Sequence, residues 1–170
     1  GDGTFKAQFQ YATGGRTYQT SIADFNGDGS LDIVAANHSG ASLSILLNNG
    51  NGTFKAASNI AVAAPFGVST GDINGDGKMD VIASQYFNSA VSVLLGNGNG
   101  TFQAIKSFAT GPNSAKNELV DINGDSMLDI VASDGAGNTT FSILLGNGDG
   151  TFRARTSVSV GIIEGMFELD

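Results

Sequence analysis

The stretch Asp72-Ile73-Asn74-Gly75-Asp76-Gly77-Lys78-Met79-Asp80-Val81-Ile82-Ala83 joins a nine-residue acidic loop to a short apolar run. The loop pattern Asp-x-Asn-x-Asp-Gly-x-x-Asp recurs intact from Asp24 to Asp32, and from Asp121 to Asp129 with Ser126 in place of the glycine. Oxygen-bearing side chains at positions 1, 3, 5 and 9 around a tight turn suit a hard cation such as calcium. A loop repeated at a long, nearly constant interval also constrains the whole architecture.

A second signature, Gly-x-Gly-Thr-Phe, ends at Phe5, Phe54, Phe102 and Phe152, which are 49, 48 and 50 residues apart. The first loop aspartates, Asp24, Asp72 and Asp121, are 48 and 49 apart. Two independent markers share one period, which falls in the range of propeller blades. Within a unit, each acidic loop is followed by a β-branched run: Leu31–Ala35, Met79–Ala83 and Leu128–Ala132. A second run comes next: Leu43–Leu47, Val91–Leu95 and Phe141–Leu145. Such short runs, bounded by Gly, Asn and Ser, predict buried strands. The Gly-x-Gly turn predicts a hairpin into a further strand opening at Thr-Phe. A fourth strand then leads into the next acidic loop, as in 20–24 and 67–71.

Four strands per unit make a propeller blade. The expected fold is all-β, with residues 1–15 ending a preceding blade, 16–63, 64–111 and 112–161 forming three blades, and 162–170 opening another. Three blades are fewer than the ~4–8 of a closed propeller. The expectation is therefore a fragment of a ring of about seven blades, closed by other blades or other copies of the chain. Asp170 falls at the first position of a fourth acidic loop.

Composition narrows the function classes. The net charge of −8 argues against nucleic acid and anionic membrane surfaces. Nine of the 16 acidic residues belong to the three loops, and the remaining seven face eight bases, so the acidity is a property of the loops. With no cysteine, disulfides and thiolate metal sites are both excluded. No run approaches the ~18 apolar residues of a membrane span.

The run Phe66–Ala83 and the closing stretch Leu94-Leu95-Gly96-Asn97-Gly98-Asn99-Gly100-Thr101-Phe102 resemble an FG-GAP/VCBS repeat, in its bacterial-type Gly-Asn-Gly-x-Gly-Thr-Phe variant. The family includes the integrin α-subunit propeller, fungal propeller lectins and many bacterial secreted proteins. The resemblance implies calcium in the loop between the first and second strands of each blade. Carried over residue by residue, the first loop would offer Asp24, Asn26, Asp28, the carbonyl of Ser30, and Asp32. The second would offer Asp72, Asn74, Asp76, the carbonyl of Lys78, and Asp80. The third would offer Asp121, Asn123, Asp125, the carbonyl of Met127, and Asp129, with weaker binding because of Ser126. The competing reading treats Asp, Asn and Gly as ordinary turn formers with no ion. Against it, three like charges in nine residues repel one another without a counter-ion.

The repeated phenylalanines read as packing between blades, and the lone His38 as a loop residue. Asn37, Asn51, Asn99 and Asn138 head Asn-x-Ser/Thr sequons. The expected function is a non-catalytic, secreted or cell-surface module for adhesion, recognition or assembly. A propeller lectin is the alternative, although the chain has no tryptophan and only three tyrosines, Tyr11, Tyr18 and Tyr86. A part of a secreted enzyme ranks third, because no nucleophile–base pair is legible and the clustered acids are committed to the loops.

Overall fold

A computed structural model describes residues 3–4, 7–135 and 139–159. The described residues form three four-stranded antiparallel sheets. The first contains β1 (Thr17–Ala23), β2 (Asp32–Asn37), β3 (Ser42–Leu46) and β4 (Ser58–Ala61). The second contains β5 (Pro65–Gly71), β6 (Asp80–Gln85), β7 (Ala90–Leu94) and β8 (Lys106–Ala109), with a short 3-10 turn at Tyr86–Asn88. The third contains β9 (Asn117–Val120), β10 (Asp129–Ser133), β11 (Thr140–Leu144) and β12 (Thr156–Ser159). Each sheet is an up-and-down meander, and β5 packs against both β1 and β9. Sheets stacked face to face through their first strands are the blades of a β-propeller. Residues 7–15 carry no strand, and the trailing strand expected at 162–170, like Phe5, Asn138 and Asp170, lies outside the described residues.

The alternation of side chains along a strand explains the stacking. In the second sheet Val81, Ala83 and Leu94 pack with Val34, Ala36, Leu43 and Ile45 of the first sheet. The intervening Ile82, Val91 and Val93 pack with Ile130, Ala132 and Leu144 of the third. Both faces of this sheet are therefore buried, which is why β6 and β7 read as continuous apolar runs rather than alternating ones. The polar β9 is accommodated by pairing: Asn117, 1% exposed, donates to Ser84 Oγ at 2.7 Å and accepts from Ser69 Oγ.

The Gly-x-Gly-Thr-Phe hairpins depart from the expected continuous strand. Each closes on an isolated bridge, Asn48↔Phe54, Gly96↔Phe102 or Gly146↔Phe152. The regular ladder begins only at Ile45↔Ser58, Val93↔Lys106 and Ile143↔Thr156. Between bridge and ladder the fourth strand holds one residue more than its partner, so a β-bulge turns the chain at the same place in every blade. The turn also docks on the preceding blade. Gly100 N–H donates to the Phe25 carbonyl at 2.8 Å, and the Phe102 ring meets Phe25 edge-on at 5.6 Å. Gly100 has φ +81, and a Cβ there would lie 2.9 Å from Leu47 Cδ1, so both backbone and packing require glycine.

At the third hairpin Asp149 stands where the first two carry Asn51 and Asn99. Its carboxylate accepts from Thr151 N–H and Oγ1, and the Thr151 hydroxyl and amide hold its pKa below the ordinary aspartate range. On acidification the folded chain therefore protonates this group later than the unfolded chain. Its contribution to stability is complete above about pH 4 and is lost as pH falls through the lowered folded value. We expect Asp149→Asn to flatten acid unfolding below about pH 4, measured by circular dichroism against pH; an unchanged profile would show that this turn does not contribute.

Candidate functional site

Each acidic loop connects the first strand of a blade to the second, and its first aspartate organises the turn. Asp24 Oδ1 accepts from the amides of Asn26, Gly27 and Asp28 at 3.2, 2.7 and 3.3 Å, and Oδ2 from Gly29 at 2.7 Å. Asn26 Oδ1 accepts from Asp28 N–H at 2.9 Å, and Asp28 Oδ1 from Ser30 N–H at 2.8 Å. The second loop repeats this with Asp72, Asn74 and Asp76, where Lys78 Nζ also approaches Asp76 Oδ2 at 3.3 Å. The third repeats it with Asp121, Asn123, Asp125 and the Met127 amide. Ser126 adopts φ +67 and its N–H still reaches Asp121 Oδ2 at 2.8 Å, as Gly29 and Gly77 do in their loops. The backbone of the third loop is thus retained in a left-handed conformation that costs a non-glycine residue about 1–2 kcal/mol.

The ninth aspartate occupies a different environment from the other loop acids. Asp32, Asp80 and Asp129 are fully buried. Asp80 Oδ2 accepts from Ile73 N–H in the loop at 2.9 Å, and Oδ1 from Gly96 N–H in the hairpin turn at 2.7 Å. Asp32 bridges Phe25 and Asn48 in the same way, and Asp129 bridges Ile122 and Gly146. Each is a carboxylate clamp tying the acidic loop to the Gly-x-Gly hairpin. Burial pushes the Asp80 carboxyl up, with the two backbone donors acting against that rise. Asn48 replaces the glycine found at Gly96 and Gly146, where a Cβ would sit 2.3 Å from the carbonyl oxygen of Met79 or Leu128. At the first hairpin the Asn48 side chain donates to the corresponding carbonyl, of Leu31, at 3.0 Å.

Positions 1, 3 and 5 therefore share a solvent-facing turn, while position 9 lies beneath it. Among the described residues no three acids converge into a preformed metal cluster. The donor set still matches a hard cation: carboxylate, amide and carbonyl oxygens, with no nitrogen or sulfur ligand. A carboxylate has about four lone-pair sites. Asp28, Asp72, Asp76 and Asp125 each accept two bonds and keep acceptor capacity, whereas Asp24 already accepts four amides. Backbone N–H groups hold the Asp28, Asp76 and Asp121 carboxyls below the ordinary range, which keeps them anionic.

A second assembly, not legible in the sequence, lies at the other end of the first strands. Tyr18 and Phe66 approach with ring centroids 4.3 Å apart, and His38 meets each of them at 5.2 Å. Tyr86 continues from Phe66 at 5.2 Å, and Phe87, 68% exposed, follows at 5.1 Å. Beside these rings is a cavity of about 340 Å³ lined by Tyr18, Gln19, Phe66, Ala115, Lys116 and Glu118. These residues come from three blades and stand outside both repeated motifs, so only the fold brings them together. The Asn37 sequon is closed to modification in the folded chain, because Asn37 is buried and its Nδ2 donates to Ser44 Oγ at 2.7 Å.

Comparison with known proteins gives a consistent picture of the fold. FG-GAP-like repeats match residues 24–83 and 72–132, together more than half of the chain. Among solved structures, one similar chain is an Agrocybe aegerita lectin described for specific recognition of non-reducing terminal N-acetylglucosamine. It is 26% identical with a TM-score of 0.55, over 83% of this chain and 38% of the lectin. Another is the Tc holotoxin pore of Photorhabdus luminescens, 18% identical with a TM-score of 0.50, over 84% of this chain and 7% of that one. The second likeness is one of fold alone. No curated protein matches the sequence.

The clamp makes a direct prediction about stability. Asp80→Ala leaves two buried amides without acceptors, at about 1–3 kcal/mol each, so we expect a loss of about 2–5 kcal/mol in urea unfolding. A loss below about 1 kcal/mol would contradict the clamp.

Proposed function

The chain belongs to the FG-GAP-like repeat family, and we propose that it is a non-catalytic recognition module, secreted or displayed at the cell surface, whose acidic loops take up calcium. The observation that carries the calcium reading is the threefold recurrence of one oxygen-lined turn with aspartates at positions 1 and 5. In this reading Asp24, Asn26, Asp28 and the Ser30 carbonyl face the ion, as do Asp72, Asn74, Asp76 and the Lys78 carbonyl, and Asp121, Asn123, Asp125 and the Met127 carbonyl. Asp32, Asp80 and Asp129 contribute from below with lone pairs left over from their amide bonds. The third site is the weakest because Ser126 must hold a left-handed backbone.

A non-catalytic role is supported by where the reactive groups are spent. The loop carboxylates accept backbone amides, and the single histidine is set among Tyr18, Phe66 and Phe87. The loops recur in every blade, so they suit a stabilising role better than a specific recognition surface. Adhesion or assembly through less regular surfaces follows from that division. A carbohydrate ligand is the second reading, favoured by the aromatic-walled cavity and by the lectin among the similar structures.

An ion that binds only the folded chain stabilises it by about 2.7 kcal/mol at a hundredfold excess over Kd. We therefore expect the melting temperature to rise by about 5–10 °C between chelator and saturating calcium. An identical melting temperature in both would end the calcium proposal. Ser126→Gly should add about 0.5–1 kcal/mol without calcium and tighten the weakest of the binding steps seen by calorimetry.

A further inference from the structure

The geometry points to a binding site for the terminal pyranose of a glycan in the cavity lined by Tyr18, Gln19, Phe66, Lys116 and Glu118. This rests on the carbohydrate reading above and gives it a location and a set of contacts. The site lies at the entry ends of β1, β5 and β9, whereas the acidic loop of each blade leaves from the exit end of its first strand. Seven residues of strand separate the two ends of β1, about 20 Å at the usual rise.

Three properties select the ligand class. First, the walls are aromatic and backed by other rings. Tyr18 is 42% exposed, yet it is held by Phe66 at 4.3 Å and by the Arg16 guanidinium at 5.1 Å from its centroid. Phe66 is itself braced by His38 and Tyr86. A rigid apolar wall that persists at the surface suits the C–H face of a sugar ring, which binds without ordering a mobile side chain.

Second, the polar rim is uncommitted. Among the described residues, the side chains of Lys116 and Glu118 form no ion pair, and no side-chain hydrogen bond is seen for either. Gln19 Oε1 accepts from Val68 N–H at 3.4 Å, which leaves its amide nitrogen as a donor. One ammonium, one carboxylate and one amide beside two rings offer both donors and acceptors to hydroxyl groups. Their charges sum to zero, which suits a neutral polyol better than an anion or a cation.

Third, the size is small. A cavity of about 340 Å³ is at the lower end of the ~300–1,000 Å³ range of small-molecule sites. It accepts one sugar ring and excludes a folded element of a protein partner.

The test is titration of the full chain with the methyl β-glycosides of glucose, galactose and N-acetylglucosamine, followed by saturation-transfer NMR. At least one should bind saturably, with its ring C–H protons receiving the strongest transfer. Tyr18→Ala and Glu118→Gln, both at exposed positions, should each weaken it at least tenfold with unchanged circular dichroism. Tyr11→Ala, which alters the separate contact with Phe54, should leave binding unchanged. If a glycoside binds and keeps its affinity in both cavity variants, the location is wrong while the carbohydrate reading stands. If none binds to the folded chain, both are overturned. Saturable binding of a glycan-free peptide that Tyr18→Ala abolishes, with no glycoside bound, would assign the cavity to peptides instead.

Discussion

A buried carboxylate at the start of each second strand holds the rest of the blade in place. Asp32, Asp80 and Asp129 each bond one amide seven residues earlier and another 16 or 17 residues later. Removing a charge from water costs several kcal/mol. That cost is met only because both oxygens receive charge-assisted bonds, each contributing about 1.5–3 kcal/mol. The clamp fixes the acidic loop and the glycine hairpin relative to one another. Those are the two features that also reach across to neighbouring elements.

From that anchor the blade interfaces follow. The hairpin fixed by Asp80 carries Gly100 and Phe102, and these meet Phe25 of the first blade. Phe152, from the hairpin fixed by Asp129, meets Phe108 of the second blade at 5.2 Å. The repeat period is thus also a packing period, because Phe102 and Phe152 each dock on the blade before their own, while Phe54 packs on Tyr11. On the far face of the third blade, Phe141 remains 37% exposed at the position where Val91 is fully buried in the second. Three sheets are fewer than the ~4–8 blades of a closed propeller, and further blades are needed to complete the ring.

Much of the blade was legible in the sequence, because its signals are local. Runs such as Met79–Ala83 and Val91–Leu95 lie within or overlap β6 and β7, and glycines in the hairpins mark positive φ angles. The role of position 9 was only half visible. Its spacing suggested a cation ligand, yet its setting in Leu-Asp-Ile-Val and Met-Asp-Val-Ile already placed a carboxylate inside a buried strand. The one-residue bulge after Phe54, Phe102 and Phe152 was hidden, since nothing in Thr-Phe announces a register slip. The aromatic cavity was hidden for a different reason. Tyr18 and Phe66 share one phase of the repeat, 48 residues apart, but Ala115 holds that phase in the third blade and Glu118 stands at another, so only blade stacking shows them as neighbours.

The clamp is most directly tested by native-state hydrogen exchange at its six amides: Phe25, Asn48, Ile73, Gly96, Ile122 and Gly146. All six lie outside the regular strands, and three of them, Asn48, Gly96 and Gly146, stand at isolated bridges. The account predicts protection approaching that of the central strand amides, with exchange governed by global unfolding. Exchange as fast as that of the exposed loop amides would contradict it.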